Sequence, residues 1–137
     1  DGFFIGGVKV TTCPLHHPQG SVAYRLEIEG RSVVFATDTE HPETGIDERL
    51  AAFAGGASCL IYDATFTPEE YESQYRGWGH STWEAGTKIA RRAGVRKLLL
   101  SHFNPDHSDQ TIREILRLAR KEFPRSDCAR EGMRLRF

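Results

Sequence analysis

A chain of 137 residues is one domain's worth of protein, and its 39% hydrophobic and 27% charged residues suit a folded globular core rather than a disordered segment. A formal net charge of −1 removes any global electrostatic case for nucleic-acid or membrane binding. The nearest approach to a basic patch, Arg91, Arg92, Arg96 and Lys97, reads as a solvated face.

Along the chain, Val8, Val10 and Thr12 open an alternating pattern that ends near Pro14. Val22, Tyr24, Leu26 and Ile28 alternate with Ala23, Arg25, Glu27 and Glu29 as a half-buried strand. Gly30 and Arg31 then predict a tight turn into Val33-Val34-Phe35, which makes these two runs a hairpin. Ile46, Leu50, Phe53 and Ala54 share one helical face. The continuous runs Cys59-Leu60-Ile61-Tyr62 and Leu98-Leu99-Leu100 predict strands covered on both faces. Thr67-Pro68-Glu69-Glu70 has the form of a capping box with proline at the first helical position. Ser81-Thr82-Trp83-Glu84 repeats that form with Ser81 as cap, and its helix stops at Gly94. Ile112, Ile115, Leu116 and Ala119 mark a last helix, and Met133 to Phe137 predict an added edge strand. Strands alternating with helices place the chain in the α/β class, with helices packed on a mixed sheet.

Cys13, Cys59 and Cys128 stand far apart and form no CxxC pair, so the expectation is a reducing, cytoplasmic compartment with Cys59 as a core thiol. No stretch approaches a membrane span, and no charged-then-apolar leader opens the chain. The start at Asp1, without methionine, suits a fragment or a cut chain.

Three strand-like runs end in residues that bind metals or move protons: Asp38, Asp63 and His102. Loops leaving parallel strand ends converge on one edge of an α/β sheet, so three such residues in equivalent positions outweigh any one of them. An Asp after a strand is otherwise a common turn former or helix cap. All six histidines, His16, His17, His41, His80, His102 and His107, fall in loops or at element ends, an inventory that suits a mixed His/Asp metal site. A helix entry with Ser81 as cap explains Ser81 and Glu84 but leaves His80 unexplained.

With these residues in view, the sequence resembles the second half of the metallo-β-lactamase superfamily, in the branch of tRNase Z and the cyclic-phosphate phosphodiesterases. Leu15-His16-His17-Pro18 resembles the segment bearing the third-motif histidine, and Phe35-Ala36-Thr37-Asp38-Thr39 the "SGDT"-like motif. Leu99-Leu100-Ser101-His102-Phe103 resembles the last motif. Tyr62-Asp63-Ala64-Thr65-Phe66 is similar to the "HEATF" segment of tRNase Z, and Gly79-His80-Ser81-Thr82 to its "HST" segment. The resemblance covers residues 8–108 and implies the C-terminal half of an αββα sandwich. It further implies metal ligands His17, Asp38 and His102, with His80 as proton donor and Asp63 as its partner. His41 and His107, close to ligand-bearing segments, are candidates for substrate contacts.

The implied reaction of the complete protein is hydrolysis of a small or cyclic phosphodiester by a hydroxide activated by two divalent metals, zinc or manganese. RNA processing of the tRNase Z type comes second, since the flexible arm of that group has no counterpart here. The family's HxHxDH motif is absent: no His-x-His occurs, and Asp106-His107 reproduces only its final pair. Two imidazoles and one carboxylate fall short of a stable zinc site, so the chain alone is expected to bind metal weakly or not at all. The missing ligands would come from an N-terminal half. A rival reading is a non-catalytic half-domain that pairs with a partner chain or with itself through an apolar sheet face.

Overall fold

The computed structural model describes residues 2–137. Seven strands form one mixed sheet whose spatial order follows the chain. Strands β1 (Gly2–Ile5), β2 (Val8–Leu15), β3 (Ser21–Ile28) and β4 (Arg31–Ala36) make an antiparallel meander. The β3–β4 turn consists of Glu29 and Gly30, at φ 50° and 73°. That left-handed pair matches the twist of the flanking strands, and it lies one residue earlier than the predicted Gly30-Arg31 because Arg31 already pairs with Ile28.

From β4 onward the sheet is parallel, through β5 (Cys59–Asp63), β6 (Leu98–Ser101) and β7 (Ser126–Cys128). The crossovers carry helices α1 (Glu48–Phe53), α2 (Pro68–Glu70), α3 (Trp83–Ala93) and α4 (Asp109–Glu122). The predicted capping box on Thr67 and Glu70 is formed, and α2 runs into a single π-helical turn over Tyr71–Tyr75. None of these helices is long and apolar enough to cross a membrane.

One sheet face is covered. Val34, Ala36, Leu60, Tyr62, Leu98 and Leu100 form a single core with Leu50 of α1, Ile89 of α3 and Ile115 of α4. The other face is apolar but open, with Phe3, Val22, Tyr24, Leu26, Ile28 and Phe35 each 40–50% exposed. The expected edge strand at Met133–Phe137 is not there. Ser126–Cys128 reaches the slot beside β6 first, directly out of α4, and Leu135 and Phe137 instead join Leu26, Ile28 and Val33 around a cleft on the open face.

Helix α3 lies close enough to the sheet that a Cβ on Gly86 would stand 2.9 Å from Tyr62 Cδ1 and 3.2 Å from Leu100 Cδ2. Tyr62 is fully buried and its hydroxyl is tied to Ser81, so the ring has nowhere to move. Gly86→Val is therefore expected to lower stability by about 2–3 kcal/mol, an overpacking cost that chemical denaturation would measure. Unchanged stability would show that α3 rides further from the sheet.

Candidate active site

Because β4, β5 and β6 are parallel and in register, their C-terminal ends share one edge, and that edge gathers Asp38, Asp63 and His102. Asp38 and His102 each adopt a left-handed backbone, at φ 60° and 61°. For residues with a Cβ this conformation costs about 1–2 kcal/mol each. It turns the two side chains toward each other across the end of β5, with His102 Nε2 3.6 Å from Asp38 Oδ1.

Between them Asp63 is completely buried. Its Oδ2 accepts from the Asp38 and Thr39 N–H groups, at 2.8 and 3.4 Å, and from His80 Nδ1 at 3.0 Å. Its Oδ1 accepts from the Thr65 N–H and hydroxyl, at 3.1 and 2.8 Å, and from the Ser81 N–H at 3.1 Å. His102 Nδ1 lies 3.0 Å from the Thr65 hydroxyl and 3.6 Å from Asp63 Oδ2. In both His80 and His102 Nδ1 thus faces an oxygen, which favours the Nδ1–H tautomer and turns Nε2 outward, in His102 toward the Asp38 carboxylate.

His80 sits at the entry of α3 and stacks on His102, with ring centroids 5.0 Å apart. The Asp63 hydrogen bond raises its pKa above the ordinary imidazole value, against a smaller opposing effect of burial. His17, in the loop after β2, presents its ring edge to His80 at 5.6 Å between centroids. His17, Asp38 and His80 offer ligand atoms that all lie within 4.8 Å of one another, and so do Asp63, His80 and His102. Imidazoles and carboxylates converging at this spacing are a donor set that fits divalent cations.

Residues 1–103 match the family model described as the Beta-lactamase superfamily domain. The chain belongs to that superfamily. Its sequence is 39% identical over 108 residues to a ribonuclease Z of Ignicoccus hospitalis, covering 79% of this chain and 33% of that protein. It is 34% identical over 104 residues to a ribonuclease Z of Brevibacillus brevis, covering 73% and 31%. The metallo-β-lactamase fold protein YhfI of Bacillus subtilis superposes with a TM-score of 0.80 at 22% identity, over 97% of this chain and 50% of that one. The short form of human tRNase Z superposes with a TM-score of 0.68 at 17% identity, over 96% and 44%. This β-lactamase-superfamily chain has the metallo-β-lactamase fold, and it spans about a third of the length of the curated relatives it matches.

Within the superfamily chain, five of the seven residues singled out from sequence come together: His17, Asp38, Asp63, His80 and His102. His41 and His107 stand apart. His41 packs on Tyr71 and bonds the Ser81 hydroxyl at 2.8 Å, and burial lowers its pKa. His107, its side chain only 5% exposed, is held by the Glu70 carboxylate at 2.9 Å and ties α2 to the β6–α4 loop. Ser81 is not the cap of α3. Thr82 accepts the capping hydrogen bond, while the Ser81 hydroxyl meets His41 and Tyr62.

Glu40 was not foreseen. Burial pushes its pKa up, but hydrogen bonds from the Gly77 N–H, the Tyr71 hydroxyl and the Gly79 N–H outweigh this and leave it lowered. Those bonds pin Gly79 against His17: at φ 88°, a Cβ there would fall 2.4 Å from His17 Cδ2. A glutamate in a loop carries no motif, so only its partners identify it.

Two outcomes follow from this geometry. In Asp63→Asn the new amide NH2 faces donors instead of accepting from them, which is expected to cost about 3 kcal/mol of stability. Because the folded His80 pKa is raised, the pair's contribution is complete below the unfolded value of about 6.5 and is lost as pH rises through the folded value. The stability gap between parent and variant should therefore narrow as pH rises from below the ordinary imidazole value through the raised folded one, and the variant's His80 should titrate lower by NMR. A gap independent of pH would deny the ion pair. Gly79→Ala should displace the His17 ring and weaken metal binding, measurable by calorimetry, with His80 still paired to Asp63.

Proposed function

We propose that the complete protein is a metal-dependent hydrolase of a small or cyclic phosphodiester. His17, Asp38 and His102 of this chain would hold two divalent cations, zinc or manganese. When bound, the cations would activate water and neutralise phosphate charge. His80 is the proton donor to the departing oxygen. The observation that carries this role is the Asp63 carboxylate on His80 Nδ1, which raises the imidazole's affinity for its proton and leaves Nε2 for the departing oxygen. Asp63 holds the ring in place and does not itself touch substrate.

The rest of the metal site belongs to a segment outside these 137 residues that covers the open sheet face. Two observations support it: the chain spans half of the YhfI structure, and its exposed face is apolar across three strands. The three buried, free cysteines support a reducing cytoplasm. A second reading, an RNA-processing nuclease, is favoured by the ribonuclease Z relatives at 34–39% identity.

This chain alone is expected to bind zinc or manganese weakly, and the full-length protein tightly, by elemental analysis after dialysis. Tight binding of two ions by the isolated 137 residues would overturn the shared site. In the full-length protein His80→Ala should keep both metals and lose turnover by roughly 10²–10⁴-fold. The loss should be greater for an alkyl than for a nitrophenyl leaving group, since an activated phenolate needs little protonation. Equal activity on the alkyl ester would end the proton-donor assignment.

A further inference from the structure

We propose that the cleft running outward from His80 and His102 is a nucleobase subsite, in which one base of the phosphodiester stacks on Trp78. The inference rests on the phosphodiesterase reading above and adds the substrate's aromatic group to it.

A chain of rings leads away from the imidazoles. His80 meets Phe66 edge-on, with centroids 6.1 Å apart. Phe66 stacks on Tyr75 at 4.2 Å with planes 3° apart, and Tyr75 meets Trp78 at 5.2 Å and 90°. The inner members are packing residues, with Phe66 only 5% exposed. Trp78 is 60% exposed. It is held by Tyr75 in a loop whose two glycines, Gly77 and Gly79, are fixed by Glu40, and it offers its ring to solvent.

The cleft beside it has a volume of about 470 Å³, within the range of small-molecule sites, and His80 and His102 form its inner wall. A base lying on Trp78 would therefore place its phosphate toward both imidazoles. The outer wall is polar. The Asn104 side-chain oxygen is taken by the Asp106 N–H at 3.0 Å, so the amide NH2 remains to donate, and the Asp106 carboxylate remains to accept. These are complements to the edge of a base or the hydroxyls of its sugar. Among the described residues no lysine or arginine lines the cleft, and Asp106 repels a further phosphate. The occupant is thus a single neutral aromatic group and not a run of nucleotides.

Binding to the full-length, metal-loaded protein tests this, with adenosine 5′-monophosphate and ribose 5-phosphate as a matched pair in calorimetry. The parent should bind the nucleotide more tightly. Trp78→Ala should weaken nucleotide binding by about 5- to 100-fold, the range of base–aromatic stacking, and leave ribose phosphate unchanged. Trp78→Phe should retain most of the preference, and melting curves should match because the ring is exposed. Equal affinities for the pair in the parent, or an equal loss for both in Trp78→Ala, would overturn the subsite. So would an oligoribonucleotide that binds far more tightly than the mononucleotide with no effect of Trp78→Ala. Hydrolysis of methyl p-nitrophenyl phosphate, measured in parallel, keeps the two ideas apart. Hydrolysis without base preference sinks the subsite alone, and base preference without hydrolysis of any phosphodiester sinks the phosphodiesterase reading while the subsite stands.

Discussion

One buried carboxylate organises this molecule. Desolvating an aspartate costs several kcal/mol, and the cost is offset only when hydrogen bonds and charge partners surround it. Asp63 collects donors from the loops after β4 and β5 and from the entry to α3, and it reaches His102 through Thr65. No two of these segments are continuous in sequence. Their common acceptor holds them at one edge of the sheet, so the side chain that positions the site also closes the fold there.

The edge itself is built from backbone that resists its conformation. Asp38 and His102 occupy left-handed geometry that their Cβ atoms disfavour, in equivalent positions past β4 and β6. Aspartate and histidine tolerate that region better than branched residues do. The Asp63 carboxylate receives the Asp38 N–H, and the Thr65 hydroxyl reaches the His102 carbonyl, so each turn is secured by the same hub. Both turns are thus held in place by hydrogen bonds from within the chain itself.

These secured turns contrast with the open sheet face. A sheet covered by helices on one side only leaves its second apolar surface in water, an arrangement that stable isolated domains avoid. The C-terminal residues Leu135 and Phe137 lie against part of it, yet Tyr24 and Phe35 remain more than 40% exposed. Helices cover one face of the sheet, and the polar cluster of Asp38, Asp63, His80 and His102 lies at the edge where β4, β5 and β6 end.

Local rules carried much of the reading. Period-two alternation marked β3, the continuous runs marked β5 and β6, and the Thr67-to-Glu70 cap and the Gly94 stop were stated by short-range chemistry. The grouping of Asp38, Asp63 and His102 also followed from sequence, because parallel strands bring their ends to one edge. What lay beyond it depended on long-range contacts. Ser81 looked like a cap by spacing, but the competition between Thr82 and the His41–Tyr62 pair for its role is settled only by packing. Met133–Phe137 alternates like a strand, yet the vacant edge had already been taken by Ser126–Cys128. Glu40 belongs to no periodic pattern, and its role arises from partners up to 39 positions away. Sequence determined the central strands and the helices and which of their ends carry titratable side chains, since those follow from neighbours within a few residues, but not the edge strands β1 and β7. Only the tertiary structure decided which polar atoms meet, because a hydrogen bond between distant segments leaves no local trace in the chain.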